Sequence, residues 1–188
     1  MAPTYSPIPE LGRTAPDFEL PATDGKTYSL ADFSDAKVLV VVFICNHCPY
    51  VVATQERINL LAKKFAPKGV QFVGINSNDA TRYPDDSFEA MKERAEEVGY
   101  IFPYLHDESQ IVARSFDAAC TPDPFVFAKK GNSFILEYRG RIDDNWKDES
   151  AVTTRDLNDA IESLIQGKPV NTDQKPAMGC SIKWKQLH

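Results

Sequence analysis

Two kinds of hydrophobic pattern run through the chain. Lys37 to Cys45 reads KVLVVVFIC, a continuous apolar and β-branched run of the kind found in a strand buried on both faces. Ile58, Leu61, Ala62 and Phe65 then recur at the spacing of one helical face, and Pro67 and Gly69 stop that helix. Val70 to Ile75 predicts a second buried strand. Ser87 to Val98 places Phe88, Met91, Ala95 and Val98 three or four residues apart, a helix ended by Gly99. Phe102 to Leu105 predicts a short strand and Gln110 to Phe116 a short helix. Pro124–Ala128 and Phe134–Tyr138 flank Lys130-Gly131-Asn132 as a hairpin, and Asp17 to Leu30 alternates around Asp24-Gly25 as another. The last helix carries Leu157, Ala160, Ile161, Leu164 and Ile165 on one stripe, with Thr153 or Thr154 to cap it and Gly167 to close it.

The order is a hairpin, a βαβ unit, an extra helix and strand, a short helix, an antiparallel hairpin and a final helix. A βαβ unit forces a parallel pair with a right-handed crossover. The expected fold class is therefore α/β, a mixed central sheet with helices on both faces. Residues 1–188 are read as a single domain, with an irregular segment over 1–16, where prolines remove backbone donors, and a tail over 170–188.

Composition narrows the function. The chain has 188 residues, 43% hydrophobic and 26% charged, with a net charge of −6. That balance gives no footing for nucleic acid. The longest apolar run, Val38 to Cys45, falls well short of the ~20 residues a membrane helix needs. The opening residues lack the basic cluster and apolar stretch of a secretory signal. The expectation is a soluble, cytoplasmic protein with no membrane partner.

Four cysteines, Cys45, Cys48, Cys120 and Cys180, are too few for a disulfide scaffold. Cys45-Asn46-His47-Cys48 falls where a buried strand hands over to a helix, with Pro49 suited to the first helical turn. Free backbone N–H groups and the positive end of the helix dipole meet there, and both favour a thiolate. The spacing is expected to leave Cys45 exposed at the helix start, with Cys48 one turn in and near enough to close a disulfide. His47, as imidazolium, would stabilise a nearby thiolate and tune the potential. Half of a zinc site and a pair of inert core cysteines are the competing readings, but neither Cys120 nor Cys180 has a neighbouring ligand, so the expected metal set is empty.

Strand–CxxC–helix, followed by Thr121-Pro122 before a hairpin strand, resembles the thioredoxin superfamily. The resemblance implies that Pro122 is cis and packs on the cysteine pair, and that Thr121 offers backbone groups to a substrate peptide. Ala15-Pro16-Asp17-Phe18-Glu19-Leu20, Asp24-Gly25-Lys26 and Ser29-Leu30-Ala31-Asp32-Phe33 resemble the opening of peroxiredoxins and of the TlpA/ResA-like branch. An extra helix and strand near residues 86–105 suit that branch. The ending Gly179-Cys180-Ser181-Ile182-Lys183-Trp184-Lys185 is similar to a peroxiredoxin-like subgroup of AhpC/TSA-type thioredoxin-family proteins. The likeness covers residues 11–185. It implies a thioredoxin fold with an N-terminal β-hairpin extension and an αβ insertion.

The activity implied is thiol–disulfide exchange, with Cys45 attacking and Cys48 resolving. Protein disulfides and a thiol reductant would be the partners, and no cofactor is required. Three departures from the family patterns stand out, over four positions. Aligning Cys48 with the peroxiredoxin P-x-x-x-T/S-x-x-C motif puts Val41 and Cys45 at its Pro and Thr positions. Ile44 stands where thioredoxins have Trp, and Leu39 where many bury an acid. The rival functions are a peroxiredoxin-like thiol peroxidase with an antioxidant role, and a non-enzymatic redox-sensing or metal-binding module. Cys120 and Cys180 are candidates for further redox thiols, Cys120 reading better as a small buried residue and Cys180 as either a resolving cysteine that folds back or a residue buried by the tail. His106 and His188 read as incidental, Trp146 and Trp184 as packing, and Arg139, Arg141, Asp143 and Asp144 as a solvated cluster.

Overall fold

The computed structural model describes residues 2–186. Its centre is a five-stranded sheet built on the apolar run. Strand β4 (Val38–Phe43) pairs in parallel with β5 (Val70–Asn76), which pairs in parallel with β6 (Tyr104–His106). On the other side β4 meets β8 (Asp123–Lys130) antiparallel, and β8 turns back into β9 (Ser133–Arg139), giving the order β6-β5-β4-β8-β9. All six residues of β4 are buried because both faces are covered. Val38, Val40 and Val42 join the core beneath α1 (Pro49–Phe65), α2 (Phe88–Val98) and α4 (Asp156–Ile165). Leu39, Val41 and Phe43 join a second core with α3 (Ile111–Ser115) and the hairpin β2 (Glu19–Pro21)–β3 (Thr27–Ser29). Each such side chain contributes ~1.5–3 kcal/mol by leaving water. β4 is thus the best-anchored element, and the segment that follows it is aimed by it.

Helix α2 begins as its sequence predicts: the Ser87 side chain accepts the Ala90 N–H, and Gly99, at φ 66°, closes the last turn. α4 differs. Its N-cap is Arg155, without a side-chain bond, and the expected caps are engaged elsewhere. The Thr153 hydroxyl bonds Asp144, and the Thr154 hydroxyl lies 3.1 Å from Asp156 Oδ2.

The two chain ends also depart from expectation. Thr4–Tyr5 forms strand β1 within the segment read as irregular, and Met178–Ser181 forms β10 within the segment read as a tail. β10 lies between β1 and the two-residue β7 (Cys120–Thr121), antiparallel to both. Strands this short carry no readable period. Their existence depends on partners 59 or more residues away in sequence. Among the described residues no helix is long and apolar enough to cross a membrane.

Candidate active site

The chain leaves β4 at Phe43 and enters α1 at Pro49, and the intervening turn holds the cysteine pair. Cys48 is the N-cap of α1 and Pro49 its first residue, where the missing N–H would have been unpaired in any case. The placement corrects the expected geometry. Cys48 is at the cap and not a turn into the helix, and Cys45 is only 2% exposed while Cys48 is 0% exposed. All four cysteines are free thiols.

Facing the pair is the turn before β8. The Thr121–Pro122 peptide bond is cis. The Thr121 hydroxyl lies 3.3 Å from Cys45 Sγ, and the Thr121 carbonyl accepts from the Cys48 thiol at 3.1 Å. A buried ion pair braces this turn from behind. Arg139 Nε and Nη2 donate to Asp123 Oδ1 and Oδ2 at 3.1 and 2.7 Å, and Nη2 also reaches the Asp117 carbonyl at 2.7 Å. Such bidentate pairing fixes orientation as well as charge. The cluster read as solvated is therefore partly internal. Arg139 and Asp143 are buried, the latter 2.7 Å from Arg57.

The two thiols of the pair titrate together. Cys45 is pushed well up by its hydrogen bond with Cys48, by burial and by the charge of Asp86. Cys48 is brought down to about 5. The hydrogen bond from Cys45 is the largest contribution; burial opposes it, and donation from the Cys180 thiol and the Val51 N–H adds to it. The direction of both shifts favours ionisation at Cys48, at the helix cap, over Cys45.

His47 meets a partner that was not read from the sequence. Its Nδ1 lies 2.6 Å from Oδ2 of Asp86, a fully buried carboxylate, and its ring stacks on Tyr83 at 5.6 Å. The Asp86 bond raises the His47 pKa, against the effect of burial. Burial pushes the Asp86 carboxyl up, but the His47, Asn46 and Asn78 bonds outweigh it and the net shift is down. The Asn46 N–H donates to Asp86 at 2.7 Å, and the Asn78 and Asn76 amides do so at 2.7 and 3.2 Å. Asn46 is itself held by the Tyr104 hydroxyl and by Arg94. The only sequence signal for Asp86 was the acidic Asp85-Asp86 ahead of α2, which reads equally well as ordinary helix-start chemistry. One ligand atom each from Cys45, His47 and Asp86 lies within 4.8 Å of the others, so these three form a donor set that could take a metal ion.

The remaining candidates fall on both sides of this centre. Cys120 is fully buried in β7, 3.8 Å from the Pro122 carbonyl, and burial pushes its thiol up. Cys180 is half-buried in β10, and burial followed by its interaction with the Cys48 thiol pushes it up to about 12. His106 is stacked on Phe88 at 5.4 Å, and burial lowers its pKa. Trp146 packs on Tyr50 with ring centroids 4.3 Å apart, beside a cavity of about 250 Å³ that Pro122 and Met178 also line. Trp184 lies under the Arg114 guanidinium at 4.4 Å. His188 lies outside the described residues.

A mixed sheet with helices on both faces, and a cysteine pair at a strand-to-helix junction opposite a Thr-Pro turn, define a thioredoxin-fold protein. The Redoxin family model matches residues 10–157, and the chain belongs to that family. An uncharacterized conserved protein from Geobacillus kaustophilus is 46% identical, with 100% of this chain and 99% of that one covered and a TM-score of 0.92. A hypothetical protein from Sinorhizobium meliloti is 40% identical over 98% of this chain and 100% of that one, also with a TM-score of 0.92. A thiol:disulfide interchange protein of the thioredoxin family from Chlorobium tepidum is 20% identical, with 82% and 97% covered and a TM-score of 0.63, a likeness of fold. No curated protein matches the chain significantly.

Proposed function

We propose that this Redoxin-family protein is a thiol–disulfide oxidoreductase whose exchange runs through Cys45 and Cys48. The observation that carries the reading is the placement of the two free thiols at the β4–α1 junction, both in contact with Thr121 of the cis Thr121–Pro122 turn, and the downward shift at Cys48 agrees with it. A thiolate is the attacking species in exchange, and a stable thiolate is also a good leaving group. The sequence suggested that Cys45 attacks and Cys48 resolves. We propose the reverse order, because ionisation of the coupled pair is drawn down at Cys48, and the trapping test below decides between the two. Cys48 attacks a substrate disulfide, one substrate sulfur leaves as a thiolate, and a mixed disulfide forms. Cys45, losing its proton, then attacks Cys48 and releases the second substrate thiol. Thr121 and Pro122 would position the partner, His47 would hold the potential, and a thiol reductant would close the cycle. The setting is expected to be cytoplasmic, with protein disulfides as substrates.

The test uses Cys45→Ser and Cys48→Ser, each combined with Cys180→Ser so that only the pair reports. The Cys45→Ser protein should trap a mixed disulfide with oxidised glutathione, and the Cys48→Ser protein should not. Trapping only in the Cys48→Ser protein would restore the opposite order. No trapping in either, with no reversible dithiol couple in the parent, would remove the oxidoreductase reading and favour the metal-binding one that the Cys45–His47–Asp86 cluster allows.

A further inference from the structure

Strand β10 occupies the edge of β7. Cys180 stands opposite Thr121 and Ser181 opposite Cys120. The approach is so close that a Cβ on Gly179 would come 2.0 Å from the Thr121 carbonyl oxygen. The other edge of β10 is held by β1, with Thr4 opposite Gly179. Beyond it, the Lys183 N–H donates to Asn78 Oδ1 at 2.9 Å and the Lys183 carbonyl accepts from Asp79 N–H at 2.8 Å. This segment is therefore fixed on both sides and at its C-terminal end. Its register has a chemical consequence. The Thr121 carbonyl touches Cys48 Sγ at 3.1 Å, and the residue facing Thr121 across the ladder is Cys180. Cys180 packs against the cluster that holds Cys45 and Cys48, and the ionisations of Cys180 and Cys48 bear on each other.

We propose that Cys180 is a third thiol of the redox centre, which displaces Cys45 from Cys48 and forms a Cys48–Cys180 disulfide within the chain. The proposal rests on the reading of Cys45 and Cys48 as a redox pair. The Cys45–Cys48 disulfide supplies the oxidising equivalents. Cys180 gives up its proton and its thiolate attacks Cys48 Sγ. The Cys45–Cys48 bond breaks, and Cys45 leaves as a thiolate that takes up a proton. One disulfide is exchanged for another, with no net change in electrons. The new disulfide ties β10 covalently to the cap of α1, so it holds that strand over the Thr121 edge from which it must lift before an extended partner segment can pair there.

Trypsin separates the relevant thiols. Cys45 and Cys48 fall in residues 38–57, Cys120 in 115–129 and Cys180 in 156–183. Cys45→Ser and the Cys45→Ser/Cys180→Ser double variant are reduced, exposed to oxidised glutathione, acid-quenched, alkylated and digested. The single variant should yield residues 38–57 joined to 156–183 and retain no glutathione. The double variant should keep glutathione on Cys48. Glutathione retained on Cys48 of the single variant, with Cys180 alkylated, overturns the proposal while leaving the redox pair intact. Failure of both variants to react, with no Cys45–Cys48 couple in the parent, overturns the underlying reading instead. The parent protein, oxidised to one disulfide per chain, gives an independent result if the variants fold poorly. A measurable share of its disulfide should join 38–57 to 156–183, and confinement of the whole to 38–57 overturns the proposal.

Discussion

Gly179→Ala tests whether the C-terminal strand is a working part of the site. The added methyl would sit 2.0 Å from the Thr121 carbonyl oxygen and 2.6 Å from its carbon. Both are backbone atoms, so no side chain can swing aside. Relieving the clash requires about 1 Å of separation, which takes an ordinary ladder bond past hydrogen-bonding distance. If β10 stays and strains, overpacking costs ~1–3 kcal/mol. If it peels away, exposing Ile182 costs ~1.5–3 kcal/mol, besides the lost ladder bonds. Either route gives a loss of about 2 kcal/mol or more, which lowers a urea midpoint by roughly 1 M at a typical slope for a small protein. The more informative assay is thiol labelling. Cys48 is fully buried and Cys180 packs against the same cluster where β10 crosses the cap of α1, so lifting the strand should raise their alkylation rates at least tenfold (roughly 1.4 kcal/mol of lost protection). Unchanged midpoint and unchanged labelling would refute the argument that β10 is clamped on β7.

Three further outcomes follow from the electrostatics. The reduced protein should show a thiolate absorbance step near pH 5 that Cys48→Ala removes; no thiolate below pH 7 would contradict the placement of charge at the cap. Asp86→Asn should lower the His47 pKa, read by NMR titration of the imidazole, and cost ~1–3 kcal/mol by leaving the Asn46 N–H and Asn78 amide against a poorer acceptor. The His47 contribution to stability is fully present below the ordinary histidine value of ~6.5 and is lost as pH rises through its raised folded value. The urea midpoint gap between the parent and His47→Gln should therefore be wider at pH 6 than at pH 9, and equal gaps would mean the pair with Asp86 is not ionic.

How much of this was legible in the sequence depends on range. The run Lys37–Cys45 and the stripe of α4 announce themselves because each buried face is written locally, at period 3.6 or as an unbroken apolar stretch. Cys45-Asn46-His47-Cys48 could be placed at a strand-to-helix junction for the same reason. The closed state of the pair could not. It depends on Thr121, 76 residues beyond Cys45, and on a strand near the far end of the chain. Met178–Ser181 contains no alternating pattern, only a glycine small enough to approach another backbone. Asp86 was hidden differently. An acid ahead of a helix reads as routine, and only the turn from Tyr83 to Ser87 aims it back at His47.

The three-stranded sheet β1-β10-β7 also bears on how the protein comes off the ribosome. Cys45, Cys48 and Thr121 are all synthesised well before Met178–Ser181, so a nascent chain can carry the redox pair with the β7 edge still open. The covering strand arrives after all three and is then locked from its outer side by Thr4–Tyr5, made before them. A fusion partner or trimming that disturbs residues 4–5 therefore acts on the thiols through one intervening strand. Preparations differing only at residues 4–5 should differ in thiol reactivity.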